Sequence, residues 1–138
     1  MGKSMSDRAI IIYDLSHALA ALEAAHELGK PVTLLSAPEA ALSMGAQVFR
    51  DMIEMARRSH PDVEVVAVLD CGEDPGLALG AFREGVLAAR VKAQPEAIDR
   101  LRDMAAEMEA VLYEKEGPFL DLIDTDDARA ACREWLGG

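Results

Sequence analysis

The stretch Val63-Glu64-Val65-Val66-Ala67-Val68-Leu69 constrains this chain more than any other. It is Val-rich, almost wholly apolar, and it stops abruptly at Asp70-Cys71-Gly72, with the helix start Asp74-Pro75 close behind. A strand that is apolar on both faces is buried on both faces, the situation of a parallel sheet covered by helices. Such sheets gather their ligand-binding side chains at the strand C-termini. The run therefore predicts an α/β fold and places a candidate site at Asp70.

The rest of the chain repeats the alternation. Ala9-Ile10-Ile11-Ile12-Tyr13 reads as a β-branched strand ending at Asp14. A helix capped at Ser16 follows, with Ala18, Leu19, Leu22, Ala25 and Leu28 at helical spacing. Gly29-Lys30-Pro31 closes it. Val32-Thr33-Leu34-Leu35 is the second strand. It leads into Ser36-Ala37-Pro38-Glu39, a capping-box pattern that predicts one long helix to Ser59, with Val48, Met52 and Met55 on its buried stripe beside Phe49 and Ile53. Asp74-Pro75 opens a short helix ending at Gly85. Val86–Val91 is the fourth strand, and Gln94-Pro95-Glu96 starts the next helix. Either Ala110–Tyr113 or Phe119–Ile123 is the fifth strand, and Thr125 caps a final helix to Leu136.

Strands alternating with helices at this spacing mean right-handed βα units. The expected architecture is a three-layer α/β/α sandwich with a mostly parallel sheet of about five strands, flavodoxin- or Rossmann-like. Half of a (βα)8 barrel is the alternative. Residues 1–138 read as a single domain, with 1–8 as a frayed N-terminus. A chain of this length can bury roughly 68% of its unfolded surface. With one Trp, two Tyr and three Phe, its core must come from aliphatic residues and seven Met.

Acids outnumber bases by 25 to 14, for a net charge of −11. No Lys/Arg run supplies the phosphate-neutralising patch that nucleic acid requires, and an anionic membrane surface is disfavoured for the same reason. No apolar run approaches the roughly 20 residues of a membrane span. Two cysteines, Cys71 and Cys132, without metal or CxxC spacing suit reduced thiols in a cytoplasm.

The strand ends bring chemistry to one edge. Asp14 and Asp70 are the leading pair, able to share Mg²⁺ or to divide acid and base roles, or else to cap helices. His17 is a candidate base or ligand. Ser16, Ser36, Glu39, Cys71, Gly72 and Lys92 are candidate ligand-binding positions, although a capping box accounts for Ser36 and Glu39. Lys92 either neutralises Asp70 or is solvated. Cys71 next to a helix start could be a nucleophile, but neighbouring acids oppose its thiolate, which favours packing. His26 and His60 fall at the opposite edge. Gly72-Glu73-Asp74-Pro75-Gly76 is neither a P-loop nor a GxGxxG fingerprint.

Two resemblances rest on these residues. Asp14, Asp70 and Lys92 at strand ends are similar to the acidic pocket of phosphorylation receiver domains, which would make Asp70 a phosphoacceptor. More of the chain, through Ser36-Ala37-Pro38, Leu69-Asp70-Cys71-Gly72 and Pro75-Gly76-Leu77-Ala78-Leu79, resembles short bacterial (βα)-repeat proteins of unassigned function with a Rossmann-like or half-barrel fold. That resemblance implies a fold and no activity. The functional expectation is a non-catalytic domain that binds a small molecule or protein partner at the strand C-terminal edge. Ala- and Met-rich helix faces at 44–56 and 104–112 would suit a second copy of the chain. The alternative is a metal-assisted hydrolase or lyase using Asp14 and Asp70.

Overall fold

The computed structural model, which describes residues 8–138, has six strands and six helices that alternate except where α2 runs into α3 and β5 is followed by β6. They are β1 (Ile10–Ile12), β2 (Val32–Ser36), β3 (Val65–Asp70), β4 (Ala88–Arg90), β5 (Val111–Leu112) and β6 (Leu120–Asp121). The helices are α1 (Leu15–Leu28), α2 (Ala40–Ser43), α3 (Ala46–Ser59), α4 (Pro75–Arg83), α5 (Pro95–Glu107) and α6 (Ala128–Gly137). The α/β class and parallel sheet match expectation, with strand order β5-β4-β3-β2-β1-β6. Both candidate last strands form, which raises the count to six. The sequential run from β1 to β5 is the progression that a (βα) barrel segment calls for. The expected frayed terminus lies outside the described residues except for Arg8.

The chain divides into two compact units. The first comprises Met1–Leu35, Asp51–Ala67 and Gly117–Gly138, and the second Ser36–Arg50 and Val68–Glu116.

Every residue of β2 is buried, including the polar Thr33 and Ser36, as a strand covered on both faces requires. β1 pairs with β6 through Ile10↔Leu120 and Ile11↔Asp121. Helix α1 packs on α6, with Ala18, Ala21, Leu22, Ala24 and Ala25 buried on one helix and Cys132 and Leu136 on the other. Small alanine side chains let the two helix backbones approach closely. Arg129 bridges Glu23 at 2.7 Å and Glu27 at 2.9 Å along the exposed rim. Exposed pairs of this kind add little stability. Gly29 closes α1 in the left-handed region at φ 63°, donating to Ala25 O and His26 O.

In the second unit β3 pairs with β4 through Leu69↔Ala89 and Asp70↔Arg90, and β4 pairs with β5. Asp74 caps α4, accepting from Gly76 N at 2.9 Å, with Pro75 in the first turn. Helices α4 and α5 pack together.

Several local expectations are corrected. The predicted long helix is broken at Gly45, whose φ of +87° separates α2 from α3. Ser36 ends β2 instead of capping a helix, and Glu39 at φ 57° makes no side-chain cap bond. Asp14, not Ser16, caps α1, and Asp127, not Thr125, caps α6. On α3 the buried side is Phe49, Ile53 and Ala56, while Val48 and Met55 are 57% and 52% exposed. The break at Gly45 resets the helical phase, and so Val48 and Met55 of the expected stripe turn outward while Ala56 of that stripe stays buried.

Candidate active site

The C-terminal end of β3 in the second unit is built around one carboxylate. Asp70 Oδ1 accepts from Gly72 N at 2.8 Å and from Glu39 N at 3.1 Å. Its own N–H donates to Ser36 Oγ at 2.8 Å, and Ser36 in turn donates to Ala37 O at 3.2 Å. Ser36 and Glu39 are therefore tied to Asp70 and to each other's turn, which the capping-box reading missed. Their spacing of three residues serves a strand-end turn here, because Glu39 adopts a left-handed backbone and cannot reach back to Ser36 in helical geometry.

Among the described residues both backbone donors to Asp70 reach Oδ1, and none reaches the second oxygen, Oδ2. It faces Arg90 Nε at 3.9 Å. Both side chains are mostly covered, at 17% and 16% exposure, so the pair is reachable from solvent but shielded from it. Arg90 also bonds Lys115 O and approaches Glu116 at 4.0 Å. Arg90 was not among the expected site residues. The Asp70↔Arg90 register of β3 and β4 delivers it, and the sequence shows it only as one cation inside a short strand. Lys92, read from the sequence as either neutralising Asp70 or solvated, is exposed, and its backbone N–H donates to Gly72 O at 2.8 Å. A cleft of about 360 Å³ opens beside Arg90, lined also by Lys92, Ala93, Ile98, Tyr113, Glu114 and Glu116. Its Glu114 is held by Arg102 through contacts of 2.6 and 3.1 Å.

Gly72 turns the chain after β3 at φ +61°. The Glu39 side chain folds over it so closely that a Cβ there would meet Glu39 Cγ at 2.9 Å. Cys71, between Asp70 and Gly72, is 1% exposed. Burial, then the charges of Asp70 and Asp74, push its thiol up to about 12. Burial does the same to Cys132. A neutral, inward thiol is neither nucleophile nor metal ligand. At pH 8 iodoacetamide is expected to leave both cysteines unmodified in the folded protein and to alkylate both in 6 M urea, as read by mass spectrometry. Rapid native labelling of Cys71 would contradict this placement.

In the first unit, Asp14 Oδ1 accepts from Ser16 Oγ at 2.7 Å and His17 N at 2.9 Å. The Ser16 hydroxyl first, then the His17 amide, hold its carboxyl below the usual range. His17 Nδ1 accepts from Tyr13 N at 3.0 Å, which leaves Nε2 to carry the proton in the neutral ring. His17 can therefore donate through Nε2, and it could ligate a metal only by surrendering that backbone bond. Tyr13 beside it is pushed up to about 12, by burial first and then by Asp121 and Asp124.

The donors at the Asp70 turn decide which cation could sit there. Cys71 is protonated and faces inward, and no imidazole belongs to the turn. What remains is oxygen, from Glu39 and Asp70. That set suits a hard cation such as Mg²⁺ or Mn²⁺, which takes one or two carboxylates and fills its shell with water and substrate oxygens. It is not the nitrogen and sulfur set of a zinc centre.

Comparison with known proteins places the chain in a family. Residues 4–100 match the family model described as "Fructose-bisphosphate aldolase class-II". A solved structure described as "a putative fructose-1,6-biphosphate aldolase from Coccidioides immitis" is similar over 78% of this chain at 20% identity, with a TM-score of 0.61. This chain covers 44% of that one. The structural likeness supports the fold. No curated protein matches the chain. The family match overturns the expectation of a non-catalytic binding domain and supports its alternative, a metal-dependent lyase. It also sets the chain apart from the receiver family that its acidic strand ends resemble. The chain belongs to the class-II fructose-bisphosphate aldolase family.

Proposed function

We propose that this chain carries the proton-moving part of a metal-assisted lyase that makes or breaks a carbon–carbon bond next to a carbonyl in a small anionic polyol. The family match supports the reaction type. Within the matched span, the observation that carries the reading is Asp70, whose Oδ1 is fixed by two backbone amides while Oδ2 stays free of them.

Aldol cleavage needs a base for the hydroxyl proton and an electron sink at the carbonyl. Asp70 Oδ2 is the base in this reading. Fixing Oδ1 orients Oδ2 in advance, so little reorganisation is needed when the proton transfers. A divalent cation held by Glu39 would polarise the carbonyl oxygen and stabilise the charge that develops there. Arg90 and Lys92 at the cleft are the cations suited to an anionic end of the substrate, with Arg90 also holding Asp70 in place. Asp14 and His17 at the end of β1 are a second acid and donor of the same kind in their own unit. A sugar phosphate such as fructose 1,6-bisphosphate fits this chemistry.

The test is direct. The full chain incubated with fructose 1,6-bisphosphate and Mg²⁺ or Mn²⁺ is expected to release two three-carbon phosphates. EDTA should stop the release and added metal should restore it. No turnover with Mg²⁺, Mn²⁺ or Zn²⁺ would remove the proposal for this substrate.

A further inference from the structure

We propose that His26, His60 and Asp62, all in the first unit, form a binding site for a borderline transition-metal ion, with Zn²⁺ the best match. One ligand atom from each of the three side chains lies within 4.8 Å of the others, and among the described residues no other group of three such side chains converges. His26 Nδ1 already stands 2.6 Å from Asp62 Oδ2. The rings of His26 and His60 stack with centroids 4.8 Å apart and planes 24° off parallel. The close His26–Asp62 contact lies where a metal held by both side chains would sit.

The backbone around the cluster is set. His26 lies in the last turn of α1, whose end is fixed by the left-handed Gly29. His60 and Asp62 sit in the turn between α3 and β3, where His60 N donates to Arg57 O and Val63 N donates to His60 O at 3.1 Å. Glu64 O then accepts from Val32 N at 3.0 Å, anchoring that turn to β2. Ligands on one metal with bonds of about 2.0–2.1 Å lie about 3.3 Å apart, so the widest gap must close by about 1.5 Å. His26 and Asp62 are exposed, at 48% and 58% of their side-chain surface, and rotation about their side-chain bonds supplies that movement without moving backbone.

Two imidazoles and one carboxylate select zinc, nickel or copper over magnesium and calcium. Three protein donors leave the fourth position to water. The ion would clip the end of α1 to the start of β3. This is chemically distinct from the all-oxygen set at Glu39 and Asp70, and it does not depend on the catalytic reading.

Calorimetric titration of the full chain with ZnCl₂, in excess Mg²⁺, tests the site. One saturable zinc site is expected, weakened about tenfold or more by His60→Gln and by Asp62→Asn and unchanged by Asp70→Asn. Circular dichroism would confirm that each variant keeps its helical signal, with His60 half-buried and Asp62 exposed in the turn between α3 and β3. Cobalt(II) should give d–d absorption bands with the parent protein and not with His60→Gln. Absence of saturable zinc uptake, or uptake that survives both substitutions, would overturn the proposal.

Discussion

Asp70→Asn is expected to lower the turnover number of the proposed lyase by about 10²-fold or more, with little change in KM or thermal stability. The magnitude is that of removing a positioned general base. Asparagine has the same shape, and its carbonyl oxygen can still accept from Gly72 N and Glu39 N, so the turn persists. What disappears is the oxygen able to take a proton. Asp70→Ala differs because it strands both amides without an acceptor, at a cost of about 1–3 kcal/mol each where they are shielded from water. The asparagine variant therefore separates chemistry from folding. Wild-type turnover in Asp70→Asn, at unchanged stability, would remove Asp70 from the mechanism. A loss confined to KM would make it a binding group instead.

Asp70 was legible in the sequence because a buried strand must end somewhere, and the first polar residue after Leu69 is forced to the sheet edge. The same logic located Asp14. Partners of these acids were less legible. Arg90 lies twenty residues beyond Asp70, and only strand register sets the two side by side. Ser36-x-x-Glu39 carries the signature of a helix start, yet Ser36 Oγ is committed to Asp70 N, and Glu39 turns left-handed where a helix would need it right-handed. Local pattern and tertiary hydrogen bonding competed there, and the tertiary bond prevailed. Gly45 was overlooked as a helix break because a lone glycine within an amphipathic pattern costs only about 1 kcal/mol and often passes unnoticed. Both runs that form β5 and β6 were visible as strand candidates, but their pairing with β4 and β1, which lets both exist, was not. The functional class was misread for a related reason. A carboxylate that caps a turn and one that moves a proton look identical in sequence, and their difference lies in which oxygen the backbone leaves free.

Gly72→Ala is expected to destabilise the protein by about 2 kcal/mol and to reduce the proposed activity as well. Two effects add. A left-handed backbone costs an L-residue roughly 1–2 kcal/mol, and Gly72 sits at φ +61°. The new Cβ would also stand 2.9 Å from Glu39 Cγ and 3.1 Å from Oε1. Glu39 cannot simply withdraw its backbone, since its N–H is held by Asp70 at 3.1 Å and its own φ is already 57°. Its exposed side chain must swing away, taking with it the carboxylate proposed to hold the cation. Urea denaturation of Gly72→Ala, Glu39→Ala and the double variant separates the two contributions. Glu39→Ala removes the steric clash but leaves the backbone cost, so the double variant should be less destabilised than the sum of the two singles. Metal-dependent turnover should fall in both single variants if Glu39 holds the cation. Gly72→Ala within about 0.5 kcal/mol of the parent protein would mean that the turn relaxes freely. In that case the close packing of Glu39 over Gly72 could not be what fixes the carboxylates beside Asp70.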